Sequence, residues 1–219
     1  IIMNIKSFQG GFDKNLSYII WCDSTQIAGI VDASVNITAI NKFIELHELI
    51  LEKVFITHTH SDHIQFLDDI LYQFPMVQLC GYEKPEIEFS NHYRKMMHHE
   101  TISLGSEMIT SLYTPGHYPD SLCFWNKKDN SLFTGDTMFV GRTGRTIGSR
   151  SNISHLYTSI YQQILKLPKQ TIIYPGHHYG YKPHVSLKEN ITLSPFFQCS
   201  SKDEFIKVME EYEKGRRTC

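Results

Sequence analysis

At 219 residues, with 41% hydrophobic and 20% charged side chains, the chain has the size of one globular domain able to bury a substantial core. A net charge of −2 and a pI near 6.7 supply no broad basic field against a phosphate backbone, so the expected partner is a small molecule and no nucleic acid. No run approaches the ~18 to 20 apolar residues of a membrane span, so no membrane is expected as a partner and the cytoplasm is the default compartment.

Residues 16–22 (LSYIIWC) and 26–32 (QIAGIVD) alternate as strands around the polar turn Asp23-Ser24-Thr25, which predicts a hairpin. From Ser34 to Leu51 apolar residues recur every three to four positions, a helical period with one buried face. KVFIT (53–57) is a short strand ending directly at His58. IQFLDDILYQF (64–74) returns to helical spacing until Pro75 stops it, and MVQLCG (76–81) is a further strand. Residues 83–100, polar and rich in histidine and methionine, read as a surface loop with a helical turn.

Strands are expected again at 107–114, 121–126, 131–136 and 170–175, with an amphipathic helix over 153–166 and a charged helix over 201–213. Strands and helices thus alternate in two halves, a layered α/β pattern. Ile1 and Ile2 ahead of Met3 suggest a natural start at Met3. Cys22, Cys80, Cys123, Cys199 and Cys219 are scattered singly, without CxxC spacing, and read as reduced thiols. Trp21 and Trp125 fall in strand patterns and are assigned to the core; His47, His155 and His184 carry no recognisable spacing.

The chemistry concentrates in four segments. Thr57-His58-Thr59-His60-Ser61-Asp62-His63 sets three imidazoles and a carboxylate in one short loop, where His58 and His60 can face one metal while Asp62 and His63 turn toward another. Imidazole and carboxylate ligands suit zinc, iron or manganese, and the scarcity of thiolates argues against a structural zinc knot. TPGH (114–117), FTGD (133–136) and YPGH (174–177) repeat one design: a strand, a glycine-bearing turn, a ligand. Gly116, Gly135 and Gly176 let the backbone turn sharply beside a crowded centre. Together the segments offer seven ligands, His58, His60, Asp62, His63, His117, Asp136 and His177, enough for two metals sharing one carboxylate. His92, His98 and His99 with Met96 and Met97 read as a solvated loop rather than an accessory metal site.

In this order THTHSDH, TPGH, FTGD and YPGH resemble the metallo-β-lactamase superfamily, over nearly the whole chain. The resemblance implies a four-layer αββα sandwich, here a single domain over 1–219 with a short helical extension from about 184, and metals at one edge of the two sheets. It assigns His58, His60 and His117 to a first metal, Asp62, His63 and His177 to a second, and Asp136 to the bridge. A bridging aspartate at that place is not the rule in true β-lactamases of this layout, which points away from antibiotic hydrolysis.

GDTMFVGRTGRT (135–146), GGFDKNLSYII near the start and HVSLKENITLSPFF (184–197) are similar to the glyoxalase II and persulfide dioxygenase branch, which acts on glutathione adducts. That likeness implies a substrate contact by Arg145, and Tyr179, following the last ligand closely, is the second candidate. Three features depart from the branch's pattern: Arg142 stands where glycine is usual, the turn after His63 lacks glycines, and His178 takes the place of an acid. The chain after His177 is short, as in persulfide dioxygenases and small glyoxalase II-like hydrolases.

The expected activity is thioester hydrolysis, for instance of S-lactoylglutathione, by a metal-activated hydroxide. Asp62 and Asp136 are the catalytic carboxylates, two divalent ions the cofactor with zinc the leading choice, and a glutathione-derived thiol adduct the partner. The alternative is a persulfide dioxygenase with one iron on His58, His117 and Asp136. A β-lactamase or a non-catalytic binding protein ranks lower, and a homodimer is left open.

Overall fold

The computed structural model describes residues 3–89 and 92–217. Ile1, Ile2 and Cys219 lie outside the described residues. The first half forms β1 (Met3–Gly10), β2 (Asn15–Cys22), β3 (Ile27–Val31), α1 (Ile37–Leu46), β4 (Ile50–Phe55), α2 (Leu67–Gln73), β5 (Gln78–Tyr82) and β6 (Tyr93–Met96). The second half forms β7 (Thr101–Leu104), β8 (Glu107–Tyr113), β9 (Leu122–Asn126), β10 (Ser131–Gly135), α3 (Ile153–Thr158), β11 (Ile172–Pro175), β12 (Val185–Ser186), α4 (Leu187–Leu193) and α5 (Lys202–Arg217). One six-stranded sheet runs β1-β2-β3-β4-β5-β6 and the other β12-β11-β10-β9-β8-β7. Both are mixed: β3, β4, β5 and β6 pair in parallel, as do β10 and β11, and the remaining neighbours are antiparallel.

Alternation along the strands dictates the layers. In β2, Tyr18 and Ile20 turn toward the second sheet while Ile19 turns away, and β3 divides Val31 from Ile30 in the same manner. Leu16, Tyr18, Ile20, Val31 and Phe55 therefore meet Ile109, Leu122, Phe124 and Phe133 between the sheets. On the outer face of the first sheet, Ile19, Ile30, Val54 and Leu79 pack under Ile40 and Ile44 of α1 and Leu67 and Ile70 of α2. On the outer face of the second, Leu112, Leu132 and Ile173 lie under Leu156, Phe205 and Met209. Each such buried side chain contributes about 1.5–3 kcal/mol, and the result is the four-layer αββα sandwich.

Several boundaries differ from expectation. Helix α1 starts later than Ser34, capped by the Asn36 side chain accepting from Thr38 N at 2.9 Å. It stops at Leu46 because Glu48 turns to φ 51, so Ile50 and Leu51, which continued the helical period, open β4 instead. The segment 83–100 is a loop only in part: Tyr93–Met96 is the edge strand of the first sheet, and only Met96 of it is fully buried. An edge strand with one covered position shows little alternation. Helix α3 does not run as one α-helix to Lys166; it passes into a π-turn at Ser159–Gln163 and a 3-10 turn at Ile164–Lys166. Trp21 and Trp125 are half-buried and lie at the margins of the core rather than in it. Cys22, Cys80, Cys123 and Cys199 are free and buried, and no described helix is long and apolar enough to cross a membrane.

Candidate metal centre

All four ligand-bearing segments leave their strands at the same edge of the sandwich. The His58–His63 loop follows β4, His117 follows β8, Asp136 ends β10 and His177 follows β11. The sheets are tied together there by Leu122 N donating to Thr57 O at 2.7 Å and Leu16 N donating to Gly176 O at 2.8 Å. Two glycines make the convergence sterically feasible. A Cβ on Gly176 would stand 2.6 Å from both Asp136 Oδ1 and His63 Cε1, and Gly135, at φ 47, would press one into Thr57 Oγ1 at 2.5 Å.

The ligand atoms fall into three overlapping groups: His58, His60 and His117; His58, His63 and Asp136; Asp62, His63 and His177. His60 Nδ1 lies 3.0 Å from His58 Nε2 and 3.1 Å from His117 Nε2. Asp62 Oδ2 lies 3.3 Å from His177 Nε2 and 3.6 Å from His63 Nε2. Asp136 reaches both sides, with Oδ1 3.2 Å from His63 Nε2 and Oδ2 3.5 Å from His117 Nε2 and 3.4 Å from His177 Nε2. Two ligands on a tetrahedral ion with bonds of ~2.0–2.1 Å stand about 3.3 Å apart, so this spacing is that of a coordination shell.

The electrostatics fit a cation as well. Burial, reinforced by neighbouring imidazoles, holds His58, His60 and His117 below the usual histidine range, His60 at about 4, so these rings are neutral as metal ligation requires. Burial would also lower His63 and His177. The facing carboxylates override it, Asp136 and Asp32 on His63, Asp136 and Asp62 on His177, which rises to about 9. Burial works against ionised Asp62 and Asp136, yet their histidine partners hold both below the ordinary carboxylate range. His63 and His177 thus answer the charge of Asp62 and Asp136, a positive charge that a bound cation would supply in their place. His63 Nε2 and Asp136 Oδ1 are both buried and without a hydrogen bond, an orphaned pair of the kind a bound ion satisfies.

A surrounding set of residues that the sequence did not single out fixes the rings. Asp32, buried at the end of β3, accepts from Thr57 N at 2.8 Å, Thr57 Oγ1 at 2.7 Å and His63 Nδ1 at 2.8 Å. Asn15 Nδ2 donates to Asp62 Oδ2 at 3.0 Å. Asp120 accepts from Thr59 N at 3.2 Å, and the carbonyl of Asp13 accepts from His177 Nδ1 at 2.9 Å. Such partners set the tautomer and aim of each ligand. The one local signal for Asp32 was an acid closing the apolar run GIV.

The two substrate candidates differ in setting. Arg145 is exposed, and its carbonyl accepts from His117 Nδ1 at 2.9 Å, so its loop is tethered to the cluster. Tyr179 lines the cleft but is also committed to packing: its ring stacks on His177 at 4.9 Å and 6°, and its hydroxyl donates to Asp13 Oδ2 at 2.6 Å. The Arg142 guanidinium lies 4.0 Å over the Tyr179 ring, so the residue in place of glycine forms part of the wall. His178 turns to Gln9 at 2.8 Å, away from the cluster. His98 accepts from Tyr113 N at 3.0 Å, and His92, His98 and His99 take part in none of the ligand groups found among the described residues.

A cleft of about 120 Å³ opens over Asp62, Asp136 and His177 between Phe12, Phe139 and Tyr179. A second, of about 350 Å³, adjoins it across His60, His117 and Arg145 and extends past Tyr118 to Arg150.

A sequence profile of the Metallo-beta-lactamase superfamily matches residues 10–177. A probable hydroxyacylglutathione hydrolase of Schizosaccharomyces pombe is 30% identical over 174 residues, covering 77% of this chain and 66% of that relative. The chain thus spans just under two thirds of that protein. The probable polyketide biosynthesis zinc-dependent hydrolase PksB of Bacillus subtilis is 29% identical over 197 residues, covering 88% of this chain and 86% of its own. Among solved structures, ETHE1 from Myxococcus xanthus superposes with a TM-score of 0.82 at 26% identity, over 96% of this chain and 90% of that one.

Proposed function

The chain belongs to the metallo-β-lactamase superfamily, in its glyoxalase II and persulfide dioxygenase-like branch of metalloenzymes, and from that premise we propose that it hydrolyses the thioester of an acyl-thiol, with acyl-glutathiones such as S-lactoylglutathione as the substrate class. The observation that carries this reading is the position of Asp136, whose two oxygens lie 3.2 to 3.5 Å from His63, His117 and His177 and so join two ligand groups. His58, His60 and His117 would hold one divalent ion and Asp62, His63 and His177 the other, with Asp136 shared. Zinc is the ion proposed, since neutral imidazole and carboxylate are its common hydrolytic ligands. When bound, such ions supply Lewis acidity and bring the pKa of a water toward neutrality.

The chain's own residues do the rest. Asp62, steadied by Asn15, orients the attacking water, whose proton passes to solvent. Water oxygen bonds to the acyl carbon, the C–S bond breaks and the thiolate leaves. A thiol of pKa about 8.5 departs without a strong general acid. Arg145 on the rim draws one carboxylate of the carrier, and the rings of Phe12 and Phe139 face the acyl group.

The test is thiol release from S-lactoylglutathione by protein of measured metal content. Turnover with about two zinc ions per chain supports the reading. One iron per chain, no hydrolysis, and oxygen uptake with glutathione persulfide would replace it with the persulfide dioxygenase reading, which the likeness to ETHE1 favours.

A further inference from the structure

The larger cleft runs outward from His60 and His117 to Arg150, which pairs with Glu86. Tyr118 lines the cleft, and its ring packs on His60 with centroids 4.0 Å apart. Arg150 NH1 donates to Glu86 Oε2 at 2.8 Å and to Tyr118 Oη at 3.2 Å. The guanidinium thus stands one tyrosine's length from a ligand ring. Glu86 is itself anchored: its backbone N donates to Asp120 Oδ2 at 3.0 Å, and the same carboxylate accepts from Thr59 inside the ligand loop. The Arg150–Glu86 pair is therefore tied to the ligand residues by two links, through Tyr118 to His60 and through Asp120 to Thr59.

A fixed guanidinium beside a fixed carboxylate is the complement of an α-amino-acid zwitterion, which presents a carboxylate and an ammonium on one carbon. Arg150 makes both of these contacts through NH1, and a guanidinium carries five N–H donors in a fork suited to a carboxylate. A γ-glutamyl tripeptide is about 10 Å long when extended, enough to reach from His60 past Tyr118 to Arg150. We propose that Arg150 and Glu86 form a specificity site for the α-amino-acid head of the substrate's thiol carrier, the carboxylate meeting Arg150 and the ammonium meeting Glu86. This rests on the acyl-thiol reading. It places the carrier along Tyr118 and leaves the acyl group on the Phe12 and Phe139 side.

The experiment is calorimetric binding to the metal-loaded protein of S-hexylglutathione, which cannot be hydrolysed, and of its N-acetyl derivative, which lacks the ammonium. The wild type should bind the free-amine ligand about tenfold more tightly. Arg150→Ala should weaken both ligands about tenfold, with Arg150→Lys recovering part of the loss. Glu86→Gln should weaken only the free-amine ligand and so abolish the discrimination. Metal content, measured on each variant, should stay at the wild-type value. Wild-type protein that fails to bind S-hexylglutathione, or variants within twofold of wild type on both ligands, would overturn the proposal. Thiol release from S-lactoylglutathione is read separately, so loss of the hydrolase reading and loss of this site are distinct results.

Discussion

Asp32 Oδ2 accepts a hydrogen bond from His63 Nδ1 at 2.8 Å, across 31 positions of sequence, and so turns Nε2 of that ring toward Asp62 and Asp136. Both partners are buried. Asp32→Asn keeps the shape and removes the charge that makes the ring a stronger ligand, and changes of this kind lower metal affinity about 10- to 100-fold. Competition with a chromophoric chelator should show that loss in one of two ions. Unchanged affinity for both would refute the role given to Asp32.

Gly176→Ala tests the steric argument. The new methyl would sit 2.6 Å from Asp136 Oδ1 and His63 Cε1, a separation real Cβ atoms do not adopt. The variant should fold, because the clash is local to the loop, yet retain less than half the metal of the wild type and lose activity at least 100-fold. Wild-type metal content by elemental analysis would show that the loop yields more readily than the packing implies.

Asn15→Ala removes the hydrogen bond that steadies Asp62. A bond of this kind to a charged acceptor is worth about 1.5 kcal/mol, so kcat should fall about tenfold with KM within twofold and both ions retained. A fall in metal content instead would make Asn15 a guardian of ligation rather than of the carboxylate that orients the water.

The pH dependence of the metal-free protein has two opposed limbs. His60, at about 4 in the fold against an ordinary 6.5, binds fewer protons folded than unfolded, so stability rises with pH between about 4 and 6.5. His177, at about 9, binds more protons folded, so its contribution is full below 6.5 and is lost as pH rises through 9. The Tm of the apoprotein should therefore peak near pH 6.5 and fall on both sides. With zinc bound, His177 is held neutral and the alkaline fall should flatten. An apoprotein Tm that keeps climbing to pH 9 would contradict the pairing of His177 with Asp62 and Asp136.

How much of this was legible in the sequence follows from what is local. Each of the seven proposed ligands sits in a short segment whose residue types and strand end are contiguous, and the four segments could be collected without knowing the fold. Strands β2, β3, β8, β9 and β10 read as apolar runs because both of their faces are covered. Asp32, Asn15 and Asp120 were not legible, because each is defined by a partner 25 to 61 positions away. An acid at the end of an apolar strand means nothing until the neighbouring strand places His63 beside it. Strand β6 was missed for a related reason: its alternation is masked by exposure at the sheet edge. The over-long α1 shows the converse, since Ile50 and Leu51 continue a helical period by chance while Glu48 at φ 51 ends the helix.

The most direct test of the central claim is anomalous scattering from crystals of the metal-loaded protein. The account predicts two peaks, one among His58, His60 and His117 and one among Asp62, His63 and His177, with the Asp136 carboxylate between them. A single peak, or ions bound away from this cluster, would contradict it.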